Sequence, residues 1–188
     1  MIAFAVASSL VSCTATPVEK TDGHVDEPLS VTTTFAPGPP RPSEIRLDGV
    51  DPCTVLSPDQ LRQLSLDLPP SGYVESGFGN AKACSIRSGI SGNVVRLALV
   101  TVEGVGVWLD ENAQVDARPL TIAGFPAMTV RTPGLDQLCN VEVDVANGQF
   151  LDVMFRDGGN AQKLPQDALC LGAQRAAEAA VAGLLQRR

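Results

Sequence analysis

The sequence predicts an α+β domain: an antiparallel sheet with an N-terminal and a C-terminal helix packed on one face, stapled by two disulfides. Three observations carry that prediction. Leu138 to Arg156 holds two valine-rich runs around Asn147-Gly148, the strongest short-range hairpin signal. Gln166 to Gln186 sets Leu169, Cys170, Ala173, Ala176, Ala177, Ala180, Val181 and Leu184 at helical spacing, one apolar stripe preceded by Pro165. Cys53, Cys84, Cys139 and Cys170 fall within residues 51–188, an even number that permits three pairings. Sequential pairing is the expectation, tying the first helix to the first strand and the hairpin to the last helix. Each bridge would close a loop of about 30 residues and contribute roughly 3–4 kcal/mol.

The elements follow in order. Leu56-Ser57-Pro58-Asp59-Gln60-Leu61 is a helix start: Ser57 as N-cap, Pro58 in the first turn, Gln60 closing a capping box and Leu56 against Leu61. The helix is expected from Pro58 to about Leu66. Pro69, Pro70, Gly72, Gly77 and Gly79 then mark a loop. Cys84 to Arg87 reads as a strand, and Asn93 to Glu103 as a second, with Val95, Leu97 and Leu99 on one face and Arg96 on the other. Trp108, in the glycine-rich stretch from Gly104, is expected as a core anchor, with a loop-tip contact as the alternative. Leu120 to Arg131 reads as two strands around Ala123-Gly124.

The register of the last hairpin can be worked out from its pattern. A two-residue turn pairs Ala146 with Gln149 and puts Glu142 and Asp144 among Leu151, Val153 and Phe155. A three-residue loop, Ala146-Asn147-Gly148 with Gly148 left-handed, pairs Val145 with Gln149 and gathers Cys139, Val141, Val143, Val145, Leu151, Val153 and Phe155 on one face. The second register is expected. It leaves Glu142, Asp144, Phe150, Asp152 and Met154 on the outer face, with Glu142 opposite Asp152. Such a pair can act as acid and base or hold a hard cation, yet like charges across strands are destabilising and a solvated acidic face is common in an acidic protein. This face, which either is partly covered or binds something, is the candidate binding surface.

The chain has 188 residues and a net charge of −7, with 14 basic against 21 acidic residues and no basic run, which argues against nucleic acid as a partner. The single histidine, His24, falls outside the predicted domain. Ser-His-Asp and Cys-His catalysis therefore have no base in residues 51–188, and the usual metal ligand is missing. No Ser-x-x-Lys, nucleophile elbow or complete phosphate loop occurs, and the four cysteines lack zinc spacing. The expectation is a protein without catalytic residues, metal or cofactor. A stripe of small residues from Ala173 to Ala180 signals close helix packing in preference to a cavity for an apolar ligand.

Residues Ile2 to Ser12 are uncharged and end in Leu10-Val11-Ser12-Cys13, which resembles a bacterial lipobox. The resemblance implies that residues 1–12 are a signal peptide and that Cys13 is lipidated. No Lys or Arg precedes Lys20, so the start codon is expected upstream. Two acyl chains on Cys13 suffice for stable anchoring. Residues 13–50, with Pro17, Pro28, Pro37, Pro39, Pro40 and Pro42, read as a disordered tether of roughly 30–35 Å reach. The domain, residues 51–188, would then face the oxidising outer side of the cell membrane, where disulfides persist.

Asp51-Pro52-Cys53 before a capped helix, Ala83-Cys84-Ser85-Ile86, Ile122-Ala123-Gly124-Phe125, Leu138-Cys139-Asn140-Val141-Glu142-Val143 and Leu169-Cys170 in an alanine-rich helix carry a resemblance. Together they are similar to the actinobacterial lipoproteins of domain of unknown function 3558, some mycobacterial Lpr lipoproteins among them. The resemblance implies an envelope lipoprotein and supplies no reaction. The function expected is a membrane-anchored, non-enzymatic binding module with an envelope protein as partner. The alternatives are a carrier of an apolar envelope molecule and a carboxylate-based hydrolase.

Overall fold

A computed structural model of the chain describes residues 39–159 and 163–187. The expected signal peptide (residues 1–12), Cys13, His24 and most of the expected tether (13–50) lie outside the described residues. The body is a seven-stranded antiparallel sheet with a C-terminal helix and two disulfides. Its strands are β1 (Ser71–Glu75), β2 (Ala81–Arg87), β3 (Val94–Val100), β4 (Asp116–Ile122), β5 (Phe125–Arg131), β6 (Leu138–Ala146) and β7 (Gln149–Arg156), and its helices are α1 (Pro58–Gln63) and α2 (Gln166–Leu185). Strand order is β1-β2-β3-β7-β6-β5-β4.

Alternation along each strand explains the sheet. Ile86, Val95, Leu97, Leu151, Val153, Val141 and Val143 share one face and form the main core, beneath Ala173, Ala176, Ala177, Ala180, Val181 and Leu184 of α2. The alanines bring the helix against the strands. A Cβ at Gly172 would lie 2.8 Å from the Phe155 ring, and one at Gly183 only 2.0 Å from the Val55 carbonyl oxygen. Although α2 is long and apolar enough to cross a membrane, half of its apolar window is buried. The small-residue stripe is thus used for close packing.

The bridges are Cys53–Cys84 and Cys139–Cys170, the sequential pairing. The first ties the Pro52–Thr54 turn to β2, and the second ties β6 to α2. The Ser57 cap forms as expected, with Gln60 N–H donating to Ser57 Oγ and Ser57 N–H to Gln60 Oε1. Beyond Gln63 the chain turns through Leu64 and a left-handed Ser65, so α1 has six residues and none fully buried. In place of a second covering helix it offers Leu61 to the core and the Gln60 amide, which donates to the Ala179 carbonyl at 2.7 Å. Residues 71–75, expected as loop, form β1 because they pair from Ser71 with Ser85 to Glu75 with Ala81. The two strands around Ala123-Gly124 are present, and both turn residues have positive φ, as a two-residue hairpin turn requires.

The last hairpin combines the two registers weighed above. Glu142 pairs with Asp152 and Val143 with Leu151, as expected, but Ala146 pairs with Gln149 around a tight Asn147-Gly148 turn. A β-bulge between Asp144 and Ala146 absorbs the extra residue, Val145. The core face is preserved and the tip is corrected. The bulge also leaves the Val145 carbonyl free of the ladder, and the Ile45 N–H donates to it at 2.8 Å.

That contact shows that the folded body begins before Asp51. Ile45 and Leu47 are buried in the main core, and Leu47 N–H donates to Gln149 Oε1 at 2.8 Å. The apolar alternation of Ile45 and Leu47, hidden behind a run of prolines, makes residues 41–50 a strap across the strand ends and not a free tether.

Candidate functional site

The face of the sheet opposite α2 carries the candidate residues. Cross-strand register lines up Tyr73, Ala83, Ala98, Asp152, Glu142 and Met128 in one row across six strands. A solvated acidic surface was one expectation for this face. Instead Glu142, Phe150 and Asp152 are fully buried, Met154 is half-buried, and Asp144 is held by Arg41 through bonds of 2.7 and 2.8 Å. The five residues therefore do not form an open binding face. Arg41 at the start of the strap, the Ser76–Phe78 turn and the segment 101–115 lie on this side, where sequence alternation gives no sign of them.

Arg96 organises the interior of this layer. Small side chains at Ala83 and Ala98, both buried, leave room over the strands beside it. Its Nη2 donates to Asp152 Oδ2 at 2.5 Å and its Nη1 to Glu75 Oε2 at 3.0 Å, and the guanidinium lies 5.6 Å from the centre of the Phe78 ring. Asn140 Nδ2 donates to Asp152 Oδ1 at 2.5 Å, and Tyr73 Oη donates to Glu75 Oε2 at 3.3 Å. Five strand residues from β1, β3, β6 and β7 thus share one polar network.

Glu142 stands at its end. Both its oxygens are buried and make no well-aligned hydrogen bond. Burial raises its pKa well above 4.5, the neighbouring Asp152 carboxylate adds to the rise, and Arg96 and Asn140 only partly oppose it. Burial raises Asp152 as well, but Arg96 and Asn140 bind its charged form. Of the two, Glu142 is pushed further toward its neutral form, because Asp152 alone is held in its charged form by Arg96. For Arg96, burial works against the charge, yet Asp152, Tyr73 and Glu75 outweigh it and raise the pKa.

Aromatic groups roof the same layer. Phe78 meets Trp108 and Phe150 edge-on, with ring centres 5.9 and 5.8 Å apart. Trp108 is half-buried, on the Val105–Leu109 turn, so it anchors a covering segment and not the main core. Sequence reading placed Glu142 opposite Asp152 and Arg96 on the outer face. It missed Tyr73 and Glu75, because prolines and glycines around β1 suggested a loop, and Phe78, whose role depends on a turn. Asn140, one alternation step from Glu142, was the one signal within reach.

The layer offers a buried acid, a paired arginine and an aromatic cover, and the carboxyl groups of Glu142 and Asp152 are both fully buried. Among the described residues, no group of three His, Cys, Asp or Glu is arranged to hold a metal ion. No curated protein and no solved structure matches this chain. The cysteine framework and strand order described here instead belong to a stretch matched, over residues 9–183, by a family of proteins of unknown function, and the chain is a member of that family, DUF3558.

Proposed function

We propose that the chain is an envelope lipoprotein, anchored through Cys13 at the outer face of the cytoplasmic membrane and serving as a non-enzymatic binding module for another envelope protein. Leu10-Val11-Ser12-Cys13 supports the anchor, and two disulfides suit an oxidising compartment. With Glu142, Phe150 and Asp152 sealed, the surface that supports binding best is the β1 edge. Four of its five residues are exposed, Val74 by 59%, and among the described residues no strand pairs with its outer side. Leu68 and Ile90 are exposed beside it, Ile90 by 88%. The opposite edge, β4, is guarded by Pro119, which cannot donate, and by an Arg118–Asp116 ion pair. That contrast carries the reading: one edge resists strand addition and the other invites an extended segment of a partner.

A photo-crosslinking residue at position 74 of the full chain, expressed in its own cells, tests the surface. The expected result is one recurrent protein adduct, lost from the same chain when the crosslinker stands at Glu178 on the exposed side of α2. An adduct of equal yield at both positions, or none at 74, refutes the edge. Cys13→Ala tests the anchor, since it should move the protein from the membrane to the soluble fraction.

A further inference from the structure

The segment 101–115 is attached to the body differently from every strand. Among the described residues its backbone hydrogen bonds are to itself, from Val107 to Gly104 and from Ala113 to Asp110. Apolar contacts hold it: Trp108 against Phe78, Val105 on the Ala81, Val100 and Phe150 cluster, and Val102 against Gly79. Its Val105–Leu109 turn packs on β6, the strand that carries Glu142. Beside the Phe78 and Phe150 rings that this segment covers lie two carboxyl groups directly opposite one another; Arg96 reaches Asp152 from β3, on the side away from Glu142, and the oxygens of Glu142 have no aligned donor.

We propose that the Glu142–Asp152 pair is a proton-operated latch for the segment 101–115. With one proton shared by the pair, the layer is near electrical balance and the segment closes over it. Loss of that proton leaves a second buried anion whose only nearby cation among the described residues, Arg96, is already bound to Asp152 and Glu75. Water is the compensation, and the segment tied by apolar contacts alone is the part that can admit it. The charged and titratable groups facing the pair are Arg96 on β3 and, through it, Glu75 and Tyr73 on β1. Along β6, Asp144 is neutralised by Arg41 of the strap. The segment itself carries only acidic groups, Glu103, Asp110 and Glu111, so none supplies a countercharge. This inference concerns the covered layer and does not depend on the β1 edge or the anchor.

Trp108 is the single tryptophan of the chain, so its emission reports the segment directly. The full chain would be titrated between about pH 4 and pH 9, a range that brackets a raised carboxyl group. Emission, acrylamide quenching and far-ultraviolet circular dichroism would be followed together. The expected result is one red shift with increased quenching as pH rises, at constant secondary structure. Glu142→Gln, which stays neutral, should remain blue and protected throughout. If that variant does not fold, hydrogen exchange of the wild type decides: amides of 101–115 should lose protection across the transition, beyond the tenfold per pH unit of intrinsic exchange, while β6 and β7 keep theirs. A flat wild-type titration overturns the latch. So does a transition that survives in Glu142→Gln, or one that coincides with loss of the far-ultraviolet signal.

Discussion

Gln149 shows what one buried amide can hold together. Its Oε1 accepts from the Leu47 N–H and its Nε2 donates to Asp48 Oδ2, both at 2.8 Å, and this second bond is the first cause of the lowered Asp48 pKa. Gln149→Ala would leave the buried Leu47 N–H without its acceptor, and an unsatisfied buried donor costs about 1–3 kcal/mol. We expect a loss of about 2 kcal/mol in denaturant unfolding, with increased hydrogen exchange at Ile45 and Leu47. Unchanged stability would mean that the strap does not depend on this clasp. At this scale the sequence was partly legible. The Glu142–Asp152 juxtaposition followed from a hairpin pattern, because side-chain alternation fixes who stands opposite whom. Their burial did not follow, because the layer around them is roofed by the Ser76–Phe78 turn and the segment 101–115, far away along the chain.

Among the elements, α2 was legible from its stripe, and its glycines decide how close it sits. Gly183→Ala sets two effects against each other. Alanine improves helix propensity by about 1 kcal/mol, but its Cβ would fall 2.0 Å from the Val55 carbonyl oxygen, a backbone atom that cannot rotate away. Overpacking costs about 1–3 kcal/mol, so the substitution should destabilise by up to about 2 kcal/mol net. A midpoint in urea above that of the wild type would show that the helix can shift freely. The elements that escaped sequence reading were those held from outside. β1 exists because β2 offers it a partner, despite its glycine and the two prolines before it, and α1 stops early because a left-handed Ser65 turns the chain. The bulge at Val145 satisfies both the tight Asn147-Gly148 turn and the apolar face, two demands that looked exclusive on a regular ladder.

At the scale of the whole molecule, the central strands β3, β7 and β6 are buried on both faces, one against apolar side chains and one around charge, and this sets the response to pH. The Glu142 pKa is raised on folding, chiefly by burial, so between its ordinary value of 4.5 and its folded value the native state holds a proton that the unfolded chain has released. Stability must therefore fall as pH rises through that window, by about 1.4 kcal/mol per pH unit for one proton, and level off once the native state has lost it. The Asp152 shift, also upward, has the same sign. Asp48 and Asp110 are lowered by hydrogen bonds, so their contributions grow with pH only up to their ordinary value of 3.8 and are complete before the Glu142 window opens. Unfolding free energies measured at a series of pH values should thus decline above about pH 4.5, whereas an ordinary acidic protein gains stability there as its paired carboxylates ionise. Glu142→Gln should flatten the decline and leave the stability at the acid end little changed, because a neutral amide occupies the place of a neutral acid. A wild-type stability that rises steadily from pH 4.5 to neutrality would place the proton elsewhere and require Glu142 to be ionised inside the fold.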